Sequence, residues 1–288
     1  MILAPSAAST AFLTALALIA FAANSVLCRI ALGQELIDAA SFTSIRVISG
    51  AIVLAMFALP RWRRRGHERT DFRAAAALIV YMIFFSYAYV SLSTGTGALI
   101  LFGAVQLTMF IAALRAGEEF ALLSWIGLVL AAFGLIYLVL PGVTAPDPTG
   151  AVFMGVAGMA WGWYTLRGRG VRDPLGATAN NFIVGIPPVV IVSLSFLQSQ
   201  QVSLAGILLA GASGTIASGL GYVIWFAALR GLTTTVAATV MLSVPVIAAF
   251  GGVIFLSELV TIRLILASVA ILGGIWLVLS QRNARPAG

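Results

Sequence analysis

Ten apolar stretches, each about 20 residues long and nearly free of charge, follow one another along this chain with short connectors between them. Their approximate limits are 9–31, 37–59, 72–93, 96–114, 120–140, 149–168, 176–197, 203–229, 233–255 and 260–281. That is the length an α-helix needs to cross the roughly 30 Å hydrocarbon layer of a bilayer. In lipid every backbone N–H and C=O must be satisfied within the segment, so these stretches have to be helices. Connectors such as Gly33-Gln34-Glu35, Arg61 to Arg65, Ser93-Thr94-Gly95 and Pro141 to Pro148 are too short for an extramembrane domain. The expected fold is an all-α polytopic membrane protein with ten transmembrane helices.

Composition closes the soluble alternatives. With 61% of its residues hydrophobic and 9% charged, a 288-residue chain cannot bury its apolar surface in a water-soluble core. A net charge of +7 points first to nucleic acid, but the basic residues are all Arg and lie between apolar stretches, not along a water-facing stripe. No nucleic-acid partner is expected; the surroundings are a lipid bilayer. Cys28 stands alone, which excludes an intrachain disulfide. The first stretch has no basic residue before it and no obvious cleavage site, so it reads as a retained span. Arginine collects in cytoplasmic loops. Placing both termini in the cytoplasm puts every basic residue there except Arg29, Arg46 and Arg263.

The chain also repeats itself. Tyr87 to Glu119 returns as Phe226 to Glu258 at one constant offset, with Ala88 on Ala227, Thr94 on Thr233, Thr96 on Thr235, Ala98 on Ala237, Val105 on Val244 and Glu119 on Glu258. The register continues through Gly134 on Gly273 and Leu138-Val139-Leu140 on Leu277-Val278-Leu279. Five spans per copy is an odd number, so the second copy is turned over relative to the first. Residues 1–140 and 145–288 are therefore expected to form two inverted five-helix repeats.

Several of these residues carry a resemblance. The turns Thr94-Gly95-Thr96 and Thr233-Thr234-Thr235, the mid-span proline of Leu242-Ser243-Val244-Pro245-Val246, the ending Phe255-Leu256-Ser257-Glu258 and the Gly-containing closing helix resemble the EamA unit of the drug/metabolite transporter superfamily over nearly the whole chain. Ala160-Trp161-Gly162 resembles the Trp-Gly signature of the first helix of such units, and Ser44-Ile45-Arg46 the Arg motif early in the second. Within the superfamily, the ten-span layout and a core rich in Trp, Tyr and Phe look most like the bacterial aromatic amino acid exporters of the YddG type. The resemblance implies a multi-pass protein of the bacterial inner membrane that exports amino acids, with Phe, Trp and Tyr favoured, and related metabolites by alternating access. A broader drug or metabolite exporter of the same superfamily is the alternative, and an intramembrane enzyme a third reading. The first copy departs from the pattern, with Gln106 where the second has Pro245 and Ala23-Asn24 where Trp161-Gly162 would fall, so the halves are not expected to contribute equally.

Signatures of hydrolases, phosphate-binding loops and metalloproteases are missing, and the single His67 lies in the basic loop. No enzyme activity, cofactor or metal is expected. Glu35, Asp38, Asp71, Asp173, Glu119 and Glu258 fall at span ends, and a proton-coupled carrier needs an ionisable group at membrane depth. Facilitated diffusion or exchange is the simpler mechanism. What the spans offer is aromatic and neutral-polar. Tyr81, Phe85 and Tyr89 share one helical stripe; Phe102 and Gln106 share a face; Trp161, Trp163 and Tyr222 add rings; Asn24, Asn181 and Ser243 add groups that could meet an ammonium and a carboxylate. Trp161 and Trp163 stand out by their place beside the Trp-Gly signature. The plainer reading of any single aromatic is packing or lipid contact. Arg46, well inside its span, has two readings. It snorkels to the outer face and pairs with Asp38, Glu35 or Glu258, or it holds a substrate carboxylate or closes an outer gate with Arg29, Glu258 and Arg263. Because both halves are present in one chain, a monomer is expected, with a small-molecule substrate as partner.

Overall fold

Carboxylates and hydroxyls at the starts of helices set where the spans begin. Asp38 accepts from the Ser41 amide, Asp71 from those of Arg73 and Ala74, Asp147 from Gly150, and Ser203 from Gly206. Each side chain satisfies backbone donors that lipid would leave bare. The computed structural model describes residues 7–66, 70–117, 120–142, 144–168, 171–196, 198, 200–232 and 234–283. His67, Glu119 and Thr233, and Arg69, Arg169 and Arg285 among the basic residues placed in the cytoplasm, lie outside them.

The helices are α1 (Ala7–Gly33), α2 (Ala39–Arg65), α3 (Phe72–Tyr89), α4 (Thr94–Arg115), α5 (Leu122–Val139), α6 (Pro148–Arg167), α7 (Pro174–Ser195), α8 (Leu204–Ala212), α9 (Gly221–Ala228), α10 (Thr234–Met241), α11 (Ser243–Leu256) and α12 (Ile262–Asn283). Ile37 and Val202 form an isolated antiparallel bridge. Among the described residues, nine of the resulting helical runs are long and apolar enough to cross a membrane. The tenth, α6, is 20 residues long but diluted by Gly, Thr and Ala.

Three boundaries differ from those expected. The basic run Arg61 to Arg65 is the end of α2, not a connector. Arginine is a good helix former, and the helix stops at Gly66, whose φ of 75° suits glycine. The ninth span breaks at Leu242 into α10 and α11, because Pro245 has no N–H to give the Met241 carbonyl and its ring crowds that turn. The eighth span changes character between α8 and α9, where Ser213–Leu220 forms a π-helix. Here the second half carries extra residues. Gly214 to Phe226 occupies the place of Ile79 to Tyr87, and a wider turn absorbs part of such an insertion.

Helix neighbours follow the repeat. α3 packs on α6 while α1 packs on the α8–π–α9 span; α4 packs on α6 while α1 packs on α11; α2 packs on the π-segment while α3 packs on α7. The pairs α2–α7 and α5–α12 are their own counterparts. Exchanging the two halves therefore reproduces the packing, as inverted repeats require. Small residues allow the close crossings. A Cβ on Gly158 would sit 2.7 Å from the Leu101 carbonyl of α4, and one on Gly127 would sit 2.5 Å from the Gly274 carbonyl of α12.

Candidate functional site

Where the two halves meet, α1, α2, α3, α4, α6, the π-segment and α9 line a cavity of about 20 Å³, about the room of one water molecule. Its wall is largely aromatic. Tyr81 stacks on Trp161 with ring centroids 5.6 Å apart, Phe102 meets Trp161 edge-on at 5.4 Å, Tyr81 tilts against Phe85 at 5.3 Å, and Phe21 meets Tyr222 edge-on at 5.7 Å.

Arg46 of α2 lies in this wall and is 2% exposed. Its Nε donates to Ser218 Oγ of the π-segment at 3.3 Å and its Nη2 to the Tyr81 hydroxyl at 3.3 Å. The guanidinium carbon stands 5.0 Å from the Phe85 ring centroid and 5.6 Å from that of Tyr81. Nη1 is buried and has no hydrogen-bond partner. The snorkelling reading is thus overturned. Asp38 is engaged as the cap of α2, Glu258 pairs with Arg29, and no ion pair with a described carboxylate reaches Arg46. A guanidinium at the centre of a membrane helix costs roughly 2.5–3.5 kcal/mol on insertion scales, an upper value for Arg46 in the N-terminal third of α2, and an unmade buried hydrogen bond adds about 1–3 kcal/mol. Such a cost is retained where the group has a task.

Asn24, Tyr81, Phe85, Phe102, Trp161, Tyr222 and Arg46, named from sequence, come together in this one wall. Others do not. Trp163 is 50% exposed on the outside of α6: two helical steps turn a side chain by about 200°, so Trp163 cannot share the face of Trp161. Gln106 lies a turn beyond Phe102, in a second crevice between α4, α5 and α12 with Phe110, Leu128 and Val278. Tyr89 is fully buried under the rim, donating to the Thr94 carbonyl at 3.2 Å and meeting Phe85 edge-on. Ser243 donates to the Val240 carbonyl at the break before α11. Asn181 is buried on α7 beside the Tyr164 hydroxyl.

Ser25, beside Asn24, also lines the wall, and Phe21, Leu101, Ala217 and Ser218, not chosen as lining from sequence, complete it. Phe21 precedes Asn24 and Ser25 on one face of α1, a signal that was available. Ser218 and Ala217 sit in a Gly- and Ser-rich stretch that reads as helix packing, and the π-turn that aims them inward leaves no mark in the hydrophobic pattern.

Polar contacts join the helices at two rims. On one, Glu258 accepts from the Thr94 amide at 2.8 Å and from the Thr94 hydroxyl at 3.2 Å, capping α4, and pairs with Arg29 Nε at 3.5 Å. Arg29 also donates to the Val90 carbonyl at 2.8 Å. Ser257, at φ 53°, turns the chain so that Glu258 points inward. Arg263 bonds the Leu140 carbonyl, and Asp38 N donates to Gln201 O at 2.8 Å beside the Ile37–Val202 bridge. On the other, Arg-rich rim, Arg167 pairs with Asp71 at 2.6 Å and Arg61 with Asp173 at 3.8 Å. Arg167 holds the Asp71 carboxyl below the usual carboxylate range.

The halves are unequal at the cavity. With Asp38 laid on Asp173, Thr43 on Thr178 and Gly50 on Gly185, Arg46 falls on Asn181. The packing obeys the same match, since Gly50 backs onto Phe182 and Gly214 while Gly185 backs onto Val47 and Ile79.

Comparisons with known proteins agree with this architecture. The model of the EamA-like transporter family matches residues 8–140 and again 148–280. An uncharacterized protein of Pseudomonas aeruginosa is 48% identical over 278 residues, covering 96% of this chain and 97% of that protein. An uncharacterized transporter of Archaeoglobus fulgidus is 25% identical over 210 residues, covering 70% and 74%. A solved crystal structure, 18% identical, shares the fold with a TM-score of 0.66 over 95% of this chain and 99% of the other.

Proposed function

This chain belongs to the EamA-like transporter family, and we propose that it carries aromatic amino acids and related aromatic metabolites outward across the bacterial inner membrane by alternating access. The observation that carries this reading is Arg46, a buried cation with an unsatisfied Nη1 set in a wall of rings. A planar ring slides between Trp161, Phe102 and Tyr81, each such contact adding roughly 0.5–1.5 kcal/mol beyond the area it buries. The carboxylate of the same molecule meets Arg46, whose fork-shaped donors suit two oxygens. A cavity with room for about one water admits neither until helices separate, so binding requires one rim to open. The rims at Arg29–Glu258 and at Asp71–Arg167 supply the two gates, opening in turn around one site. The carboxylates that bear on the mechanism sit at those rims, which favours facilitated diffusion or exchange over proton coupling.

The test is flux of Phe, Trp and Tyr in proteoliposomes holding the purified protein, with and without a pH gradient. Trp161→Ala should lower the rate at least about tenfold, the equivalent of 1.4 kcal/mol. Trp163→Ala should leave it within about twofold. Equal effects of the two variants, or flux strictly dependent on the gradient, would count against this mechanism.

A further inference from the structure

The polar lining of the cavity is one-sided in charge. It contains the Arg46 guanidinium and no carboxylate. Of the neutral groups, Ser218 and Tyr81 already accept from Arg46 and Asn24 Oδ1 accepts from Ser213 Oγ at 2.7 Å, which leaves the hydroxyls of Ser25 and Tyr222 and no charged acceptor. Two of the ring faces that would attract an ammonium, those of Phe85 and Tyr81, already carry the guanidinium. The counterpart of Arg46 in the other half is the neutral Asn181, so no acid enters by the repeat. A carboxylate entering here finds an unused N–H on Nη1. An α-ammonium on the neighbouring carbon finds like charge a few ångströms away, with little water to screen it.

We propose that the cavity is an organic-anion site. Its preferred ligand is a small aryl monocarboxylate without an amino group, whose carboxylate closes on Arg46 Nη1, and the zwitterionic amino acid with the same ring is a poorer ligand. The proposal rests on the reading of the site given above and ranks the solutes within it. It has an electrical consequence: net movement of a monocarboxylate transfers one negative charge, whereas net movement of a zwitterion transfers none.

The experiment compares net uptake of 3-phenylpropionate and phenylalanine into proteoliposomes, with the membrane potential clamped at inside-positive, zero or inside-negative values. At zero potential, 3-phenylpropionate should enter at least about tenfold faster. An inside-positive potential should accelerate its uptake, and the potential should leave phenylalanine unmoved. Arg46→Gln should abolish the preference, and Arg46→Lys should keep part of it with the same sign of voltage dependence. The voltage dependence of the unmodified protein tests the idea even if a variant fails to fold. Phenylalanine uptake equal to or faster than that of 3-phenylpropionate, or voltage-insensitive uptake of the anion, overturns the inference while leaving the aromatic site standing. Flux of neither compound overturns both.

Discussion

Arg46 is placed by three contacts and left short of a fourth: Ser218 and Tyr81 take two of its nitrogens, the Phe85 ring lies under it, and Nη1 has none. A residue kept for function at a cost to stability separates the two properties on mutation. Arg46→Met removes the buried charge and leaves an apolar side chain that fits among rings. Exchanging buried ionic groups for apolar ones is often neutral or stabilising by about 1–4 kcal/mol. The variant should therefore melt at the same temperature or a few degrees higher, read by thermal unfolding of the purified protein, while losing at least about tenfold in transport. A clearly lower melting temperature would mark Arg46 as a structural residue. Sequence made the identity of this residue visible but not its partners. A carboxylate near the end of a neighbouring span looked like its natural mate until Asp38 was seen capping α2 and Glu258 capping α4. Trp163 failed for a simpler reason, since a motif marks a position in the chain and the helical turn decides which neighbour faces inward.

Single elements set how tightly the wall is held. The π-segment lies so close to α2 that a Cβ on Gly214 would stand 2.0 Å from Ser49 Oγ and 2.3 Å from the Arg46 carbonyl oxygen. Gly214→Ala must push this segment off the turn that carries Arg46. Overpacking of this kind costs about 1–3 kcal/mol. The yield of folded protein on size-exclusion chromatography should fall, whereas Gly211→Ala, with open space around it, should be tolerated. The rims differ in chemistry. The first rim adds backbone hydrogen bonds, from Asp38 to Gln201 and from Ser203 to Leu36, to its Arg29–Glu258 pair, while the Arg-rich rim is joined by ion pairs. The Asp71 carboxyl titrates below its ordinary value because of Arg167. Its contribution is present above the carboxylate value of the unfolded chain and is lost as pH falls through the lowered folded one. An exposed pair of this kind is worth about 0–1 kcal/mol and weakens with salt. Asp71→Asn, or 1 M salt, should therefore raise the rate at which a thiol reagent on the Arg-rich side reaches a cysteine at Leu101, in a Cys28→Ser background, by a few-fold. No change would assign the closing of that rim to other contacts. The helix count and repeat were legible because apolar length and small-residue turns are local signals. The π-turn, the break at Leu242 and the helical end of α2 depend on packing or on an insertion that periodicity does not report.

Taken whole, the molecule is a family scaffold of two matched five-span halves whose exchange preserves the largest helix contacts. The match does not extend to the cavity, where Arg46 answers Asn181 and Asn24 stands where the other half has Gly162. On the proposed mechanism, the symmetric frame would supply two interchangeable openings and the asymmetric lining one charged seat served by both. The measurement that bears on this most closely is labelling of Ala217→Cys in a Cys28→Ser background by a membrane-impermeant thiol reagent, applied to right-side-out and inside-out vesicles. Ala217 lines the cavity from the π-segment and is buried in this structure. The account predicts labelling from either side, slowed by transported aryl carboxylate in both preparations. Labelling from one side alone, or labelling that no aryl carboxylate slows, would contradict it.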